Sequence, residues 1–186
     1  MRIAGGMARG RLLKVGGRET RPTQEKVRAA VFSSLAAMVP GARVLDLYAG
    51  SGAMGLEAWS RGAAHVEWVE KDRGTARVLK ANVDALGAGG DGNRIWTAEV
   101  GRWLERHCGE SGAFELVMAD PPYREGAEGG WLQDTADKLA RNGWVKSGSV
   151  LVWESEECAE PPELEGWRLA RDKRYGNTRV WIWVRE

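Results

Sequence analysis

The sequence predicts an α/β fold in which helices cover both faces of a mostly parallel sheet. Strand-like apolar runs alternate with helical patterns from about residue 43 to residue 154, which is typical of a doubly wound parallel sheet. Two further strand-like runs, at about 167–174 and 178–184, follow without a helix between them. Gly176 and Asn177 join these runs, and such a pair is a strong hairpin signal. The sheet is therefore expected to end in an antiparallel pair of strands.

Length and charge predict one main domain with a short basic appendage. The chain has 186 residues, of which 43% are hydrophobic, and this suffices for one complete core. The net charge is +1, but residues 1–21 carry six cations and one acid, a local net charge of +5. We expect residues 1–20 to form a basic N-terminal arm or small hairpin and residues 21–186 to form the main domain.

Several classes of protein are disfavoured because the sequence lacks their characteristic features. Only two cysteines occur, Cys108 and Cys158, and neither lies in a cluster with other cysteines or histidines. Neither a disulfide framework nor a metal site is therefore expected. No apolar run approaches the ~18 residues of a membrane span, and the Arg-rich start lacks the apolar region of a signal peptide. The sequence predicts a soluble, cytoplasmic protein with no membrane partner.

The first helix is expected to begin at Arg21-Pro22-Thr23. Pro22 stops any upstream element, Thr23 is a good N-cap, and Glu25 suits the positive first turn. An apolar stripe then recurs at steps of three and four residues, and it predicts that this helix packs on the main body. The stripe consists of Val27, Val31, Leu35 and Met38.

The remaining elements follow in alternation. The expected strands lie at about 43–48, 65–70, 94–98, 114–119 and 149–154. The expected helices lie at about 53–61, 73–86 and 131–141, with a short helix around Trp103 and Leu104. Tryptophan and aliphatic side chains alternate along the last strand, so both of its faces are expected to be buried.

A glycine-rich turn joins a buried strand to a helix between Val44 and Gly55. Gly50 and Gly52 let the backbone approach a ligand without Cβ clashes. The helix that starts at about Ala53 offers free N–H groups at the same place. The segment therefore predicts a pocket for a nucleotide-type ligand.

The turn alone leaves the identity of that ligand open. Gly50, Gly52 and Gly55 spell the G-x-G-x-x-G fingerprint, so an NAD enzyme also fits, with Glu70 at the spacing of a ribose-binding acid. Asp46 distinguishes the two interpretations. A negative charge four residues before the first glycine suits a cationic amino-acid group better than a pyrophosphate.

Four acidic residues are expected to meet at one edge of the sheet. They lie at or just past the carboxyl ends of four successive strands and are Asp46, Glu70, Glu99 and Asp120. Ligands of doubly wound sheets bind at this edge, beside the point where the strand order reverses. The preference of Asp for turns explains one or two of these acids, but not all four.

The most specific motif is Asp120-Pro121-Pro122-Tyr123, at the end of the fourth strand. Two consecutive prolines make the loop stiff and leave the carbonyl of Pro121 free. Asp120 and this carbonyl can accept the two N–H groups of an exocyclic amine, and Tyr123 can stack on the ring. The motif predicts a site for the amino group of a nucleic-acid base, and Trp131 is a further candidate for contact with that base.

Together these motifs resemble the S-adenosylmethionine-dependent amino methyltransferases, which have a Rossmann-like, seven-stranded sheet with an antiparallel last strand. Additional motifs resemble the RsmD-type family, bacterial guanine-N2 methyltransferases of small-subunit ribosomal RNA, over nearly the whole chain. They are Thr20-Arg21-Pro22-Thr23, Val27-Arg28, Val44 to Gly52, Ser60-Arg61-Gly62-Ala63, Val69-Glu70-Lys71-Asp72 and Arg174 to Arg179. The chain departs from the usual family pattern at Tyr48, Glu99 and Asn177.

The resemblance implies S-adenosyl-L-methionine as the methyl donor and no metal. The residues implied to bind it are Asp46, Tyr48, Ala49, Gly50, Ser51, Gly52, Glu70, Lys71, Glu99, Val100 and Asp120. Asp46 is assigned to the methionine end, Glu70 to the ribose hydroxyls and Glu99 to the adenine. The residues implied in catalysis are Asp120, Pro121, Pro122 and Tyr123.

The implied substrate is nucleic acid, namely 16S rRNA in a partly assembled small ribosomal subunit, methylated by a monomer. The candidate substrate-binding residues are Arg2, Arg9, Arg11, Arg21, Thr23 and Tyr123. Two alternatives stay open. The Asp-Pro-Pro-Tyr motif also occurs in DNA amino methyltransferases that act on adenine N6 or cytosine N4, and a non-catalytic RNA-binding or NAD-binding protein is the third interpretation.

Overall fold

The fold is a seven-stranded sheet with helices on both faces. The computed structural model describes residues 1–15, 22–90, 92–107, 112–122, 130–156 and 160–186, without the side chains of Pro22, Thr23, Gln24 and Glu156. The strands are β1 (Arg43–Leu47), β2 (His65–Glu70), β3 (Arg94–Thr97), β4 (Leu116–Ala119), β5 (Val150–Glu156), β6 (Trp167–Tyr175) and β7 (Thr178–Arg185). Their order across the sheet is β3-β2-β1-β4-β5-β7-β6. All pairs of neighbouring strands among the first five strands are parallel. The last strand in the chain, β7, runs antiparallel to both of its neighbours, β5 and β6, as expected.

The helices connect the parallel strands. They are α1 (Pro22–Ser34), α2 (Ala53–Ser60), α3 (Arg73–Leu86), α4 (Val100–Arg106) and α5 (Trp131–Arg141). The expected bounds of α3 and α5 are confirmed. Thr23 was expected to be the N-cap of α1, and this is wrong: the helix already includes Pro22, whose fixed φ and missing N–H suit the first helical position.

Two apolar layers enclose the sheet, one on each face. One layer contains Val44, Trp68, Met118 and Val152, and residues of α1 and α2 pack on it. The other contains Leu45, Val117, Leu151 and Trp153, and residues of α4 and α5 pack on that side. In β7, Val180 and Ile182 belong to the first layer and Trp181 and Trp183 to the second, which confirms that both faces of this strand are buried.

Residues 1–15 form a hairpin that packs on the helices of the first layer. Arg2 and Leu12 form an antiparallel bridge, and the Ile3 N–H donates to the Arg11 carbonyl at 3.0 Å. Three apolar side chains of the hairpin enter the core, Ile3, Ala8 and Leu13. The division of the chain at residue 20 stays a prediction, since residues 16–21 lie outside the described part.

Buried polar side chains of α2 attach this hairpin. The fully buried carboxylate of Glu57 accepts the N–H of Ala4 at 2.8 Å and also pairs with Arg61 at 2.8 Å. The Ser60 hydroxyl accepts the N–H of Ala8 at 2.9 Å and donates to the Gly5 carbonyl at 2.6 Å. These contacts satisfy polar groups that would be costly to bury alone. Within the described residues, no helix is both long and apolar enough to cross a membrane.

Candidate active site

The candidate site lies where the order of the strands reverses. The chain proceeds outward from β1 through β2 and β3, and then returns to place β4 on the other side of β1. Asp46 lies near the carboxyl end of β1, and Asp120 immediately follows β4. Open α/β sheets bind ligands at such a switch point. The strand order thus brings the glycine-rich turn and the Asp120 loop to adjacent positions.

The backbone of the turn adopts left-handed conformations at several residues. Gly50 has a φ of 56° and Gly52 a φ of 83°, which glycine adopts without steric cost. Among the described residues other than glycine, only Tyr48 has a positive φ, at 56°. An aromatic residue held in this region marks a backbone that its surroundings constrain, and such strain concentrates at functional sites.

The three glycines of the turn meet different surroundings. A Cβ on Gly52 would lie 2.2 Å from Leu79 Cδ1, and one on Gly55 would lie 2.2 Å from Trp68 Nε1. These two glycines allow α2 to pack closely on the sheet and on α3. A Cβ on Gly50 would meet only the Tyr48 carbonyl, at 4.0 Å, among the described atoms. Space for a ligand therefore lies next to Gly50.

Two carboxylates hold the turn in shape. Asp46 accepts the N–H of Gly55 at 2.8 Å, within the first turn of α2. Glu70 accepts the N–H of Gly50 at 2.9 Å and that of Asp72 at 2.8 Å. Glu70, which sequence reasoning assigned to a ribose, thus has a structural contact as well. Lys71, the next residue, is exposed. The main-chain N–H of Ala49 donates to the carbonyl of Val69 at 3.1 Å, which ties the turn to β2.

Burial raises the pKa of two acidic side chains at this edge, Asp46 and Asp120. Burial, together with the charges of Asp120 and Glu70, raises the pKa of Asp46 well above its ordinary value, against the Gly55 hydrogen bond. Burial raises the pKa of Asp120 to about 6. Asp120 is nevertheless exposed to solvent, although protein atoms surround its carboxyl group. Asp120 can therefore take up a proton near neutral pH.

Tyr48 and Trp131 form an aromatic wall beside the turn. Their rings stack with centroids 5.7 Å apart and planes 12° apart, and Trp153 meets Tyr48 edge-on at 6.3 Å. Burial raises the pKa of Tyr48 to about 12, although a hydrogen bond with Thr135 opposes this shift. The wall connects the turn with the start of α5.

Glu99 and Val100 lie further along the edge, at the start of α4. Glu99 is the N-cap, and its carboxylate accepts the N–H groups of Gly101 and Arg102 at 2.8 Å each. Val100 is buried. Glu99 acts electrostatically on Tyr48, so it borders the same wall.

The structure describes only part of the Asp-Pro-Pro-Tyr loop and of the candidate substrate-binding set. Pro121 is buried and Pro122 is exposed. Tyr123 and Arg21 lie outside the described residues, and so does the side chain of Thr23.

The other candidate substrate-binding residues lie on the hairpin. Arg2, Arg9 and Arg11 are exposed. The Arg2 guanidinium donates to the Gly10 carbonyl at 3.2 Å, and that of Arg11 donates to the Ala85 carbonyl at 2.9 Å. The hairpin also carries two exposed large apolar side chains, Met7 and Leu12. The hairpin therefore presents a basic surface that also carries exposed apolar side chains.

Sequence reasoning missed two residues at this site. Glu154 lies near the end of β5, and its pKa is raised first by burial and then by the charges of Asp120 and Asp46. The rule that selected the other acids, a position at the carboxyl end of a strand, also applies to Glu154. Asn82 of α3 donates to the carbonyls of Lys14 and Ser51 at 2.9 Å each, and so connects the hairpin to the glycine-rich turn. No local pattern marks Asn82.

Comparison with known proteins identifies the family. A sequence model described as "Conserved hypothetical protein 95" matches residues 1–184. The chain is 36% identical to "Ribosomal RNA small subunit methyltransferase D" of Escherichia coli, over 100% of this chain and 90% of that protein. It is 33% identical to YlbH of Bacillus subtilis over 98% of each chain. The solved structure of Escherichia coli yhhF superposes with a TM-score of 0.86 at 34% identity, covering 100% of this chain and 98% of that one. The chain therefore belongs to the RsmD family, whose sequence model carries the description "Conserved hypothetical protein 95".

Proposed function

We propose that this protein is an S-adenosylmethionine-dependent methyltransferase that modifies the 2-amino group of a guanine in small-subunit ribosomal RNA. The observation that carries the proposal is the position of Asp120 and Pro121 beside the turn that Asp46 holds. An acceptor pair for an amine thus adjoins a pocket that the buried carboxyl group of Asp46 borders. The name of the Escherichia coli relative supports the choice of ribosomal RNA.

The residues of the turn fit the proposed methyl donor. The space next to Gly50 admits a ligand against the backbone. Asp46 offers a buried carboxylate to the ammonium group of the methionine end, and Glu70 and Glu99 offer acceptors to the ribose and the adenine. Tyr48 and Val100 give apolar contacts, and Lys71 lies at the rim. When bound, the donor supplies a methyl group on a sulfonium sulfur.

Asp120 and Pro121 act on the amine. The lone pair of an exocyclic amine is delocalised into the base, which makes the nitrogen a poor nucleophile. Hydrogen bonds from its two N–H groups to the Asp120 carboxylate and the Pro121 carbonyl favour a tetrahedral nitrogen with a localised lone pair. Asp120 can then hold the proton that the nitrogen releases, since its pKa lies at about 6. Pro122 keeps the loop stiff, and Tyr123 is assigned to stacking on the base.

The hairpin supports RNA as the target. Arg2, Arg9 and Arg11 present positive charge that can contact phosphates. Arg21 and Thr23, at the start of α1, are assigned to the substrate as well. Arg28 of the same helix donates to Glu57, the carboxylate that attaches the hairpin. The choice of guanine over other bases comes from the family resemblance. We place the protein, as a monomer, on partly assembled small subunits in the cytoplasm, where this RNA is made.

One experiment separates the candidate substrates. The protein is incubated with S-adenosylmethionine labelled at the methyl group and, in parallel, with small subunits, partly assembled subunits, free rRNA and DNA. Mass spectrometry then identifies the labelled nucleoside. The proposal predicts N2-methylguanosine in ribosomal RNA, with most label in the partly assembled subunits. Methyladenine or methylcytosine in DNA as the sole product would establish the DNA alternative instead.

A further inference from the structure

Glu154 lies beside Asp120 at the carboxyl edge of the sheet. In the parallel pairing of β4 and β5, Met118 is the partner of Val152 and Ala119 is the partner of Trp153. Asp120 and Glu154 are the next residues along their chains. Side chains alternate between the faces of a sheet, so Glu154 shares the face of Val152; Asp120, one residue past the end of β4, follows Met118 at the same spacing of two.

Asp46 belongs to the same face of the sheet. It is the partner of Met118 in the pairing of β1 with β4. Three carboxylates thus face one region at the switch point, from three neighbouring strands. The strand register thus agrees with the charge effects at this edge, since Asp120 and Asp46 both raise the pKa of Glu154 after the larger effect of burial.

Arg28 is a cation whose positive charge favours the ionised form of Glu154. Its charge lowers the pKa of Glu154, but its guanidinium donates hydrogen bonds to Glu57 and to the Arg2 carbonyl. These contacts belong to the docking of the hairpin. The mechanism outlined for Asp120 and Pro121 gives no task to Glu154, although burying an additional acid beside Asp120 is costly.

The hydrogen-bonding pattern of guanine gives a reason for a second carboxyl acceptor beside Asp120. Guanine presents three N–H groups side by side, two on N2 and one on N1. Asp120 and the Pro121 carbonyl accept the two hydrogens of N2 under the proposed function, which leaves the N1–H without a partner. Adenine and cytosine have a ring acceptor next to their exocyclic amines, and a carboxylate would repel it.

We infer that Glu154 is a specificity-determining residue that accepts the N1–H of the target guanine while Asp120 holds its amine. This inference rests on the proposed function, because it needs a guanine amine at Asp120. A base with an acceptor at the same ring position loses this hydrogen bond, and its lone pair faces an oxygen lone pair of Glu154 instead. Sites that hydrogen-bond one group of a substrate strongly reject analogues that lack it.

The test uses 2-aminopurine, which keeps the 2-amino group of guanine but has an acceptor at N1. Small-subunit RNA is assembled from a synthetic fragment that carries guanine or 2-aminopurine at the methylated position. kcat/KM is measured for both RNAs with the wild-type protein and with Glu154→Gln. The amide of glutamine can accept from guanine N1–H or donate to the N1 of 2-aminopurine. Comparing the two proteins cancels the difference in intrinsic reactivity between the two amines.

The wild-type preference for guanine is expected to exceed that of Glu154→Gln by about 10- to 100-fold. Glu115→Gln, at the opposite end of the same sheet, is the matched control and should keep the wild-type ratio. If Glu154 had a purely structural role, Glu154→Gln would lower kcat/KM for the guanine RNA and the 2-aminopurine RNA by the same factor. A guanine preference equal to that of the wild type would therefore overturn this inference but leave the proposed function intact. If Glu154→Gln does not fold, a wild-type protein that methylates both RNAs with equal kcat/KM overturns it. Absence of N2-methylguanosine from the wild-type reaction would refute the proposed function and this inference together.

Discussion

The carboxylate of Asp46 accepts a hydrogen bond of 2.8 Å from the main-chain N–H of Gly55. This contact spans the glycine-rich turn and ties the strand that enters it to the helix that leaves it. The acid assigned to the methionine end of the methyl donor therefore also shapes the pocket. A useful substitution at Asp46 therefore keeps the hydrogen bond with Gly55 and removes only the charge that faces the methyl donor.

Asp46→Asn is expected to weaken S-adenosylmethionine binding by about 10- to 100-fold, because an ionised acceptor for the ammonium group is lost. The asparagine oxygen can still accept from Gly55, so the turn should persist. The folded-state pKa of Asp46 is raised, so ionising it costs stability as the pH rises. The variant should therefore unfold, at about pH 8, with a free energy no lower than that of the wild type. Calorimetry for binding and urea titration for stability check both parts. Equal affinity of variant and wild type would remove Asp46 from the site.

The pH dependence of methyl transfer should report Asp120. The carboxylate must be ionised to accept the hydrogens of the amine, and burial raises its pKa to about 6. kcat/KM is thus expected to fall as the pH drops through about 6 and to level off above it. Because Glu154 interacts with Asp120, the measured pKa belongs to the pair. In Asp120→Asn the remaining activity should lose this acidic limb. A limb that persists unchanged in the variant would assign it to another group.

Two glycines of the turn should respond differently to alanine. Gly55→Ala places a Cβ against Trp68 and is expected to lower the free energy of unfolding by about 1–3 kcal/mol. Gly50→Ala meets no such contact and should cost about 1–2 kcal/mol for its left-handed backbone, but weaken binding of the methyl donor by at least about tenfold. Denaturation and binding titrations distinguish the two effects. Unchanged binding in Gly50→Ala would show that the ligand does not approach this glycine.

The buried network of Glu57 should be essential for attaching the hairpin. Its side chain is fully buried, and that of its partner Arg28 is 3% exposed. Glu57→Ala leaves this arginine without its carboxylate and is expected to destabilise the protein by about 3–5 kcal/mol. Lys80→Ala is the matched control: it breaks an exposed pair with Asp84 and should cost about 0.5 kcal/mol or less. Urea unfolding of both variants measures the difference, and equal losses would contradict the role given to Glu57.

The sequence predicted elements well where local pattern decides structure. The strand His65–Glu70 and the helix Arg73–Leu86 have the bounds that the alternating apolar patterns predicted, and the structure adds that Asp72 caps the helix by accepting the N–H of Thr75. Acids at strand ends likewise predicted that Asp46, Glu70 and Asp120 meet, since the carboxyl ends of parallel strands share one edge.

Long-range polar contacts were not predictable in the same way. Ala4 and Glu57 are 53 residues apart, and a glutamate within a helix normally indicates a solvated face. Only the folded chain shows that the hairpin donates the N–H of Ala4 to this carboxylate. Similarly, the strand register that puts Glu154 beside Asp120 depends on the pairing of β4 with β5.

Under the proposed function, the turn binds the methyl donor while Asp120 acts on the amine of the base. Comparing Asp120→Ala with the wild type, in calorimetry with S-adenosylmethionine and in methyl transfer to small-subunit RNA, tests it most directly. Asp84→Ala, an exposed carboxylate on α3, serves as the control. Asp120→Ala is expected to bind the donor within about tenfold of the wild type but to transfer methyl groups on the order of 10²–10⁴ times more slowly. Methyl transfer by Asp120→Ala at the wild-type rate would contradict it.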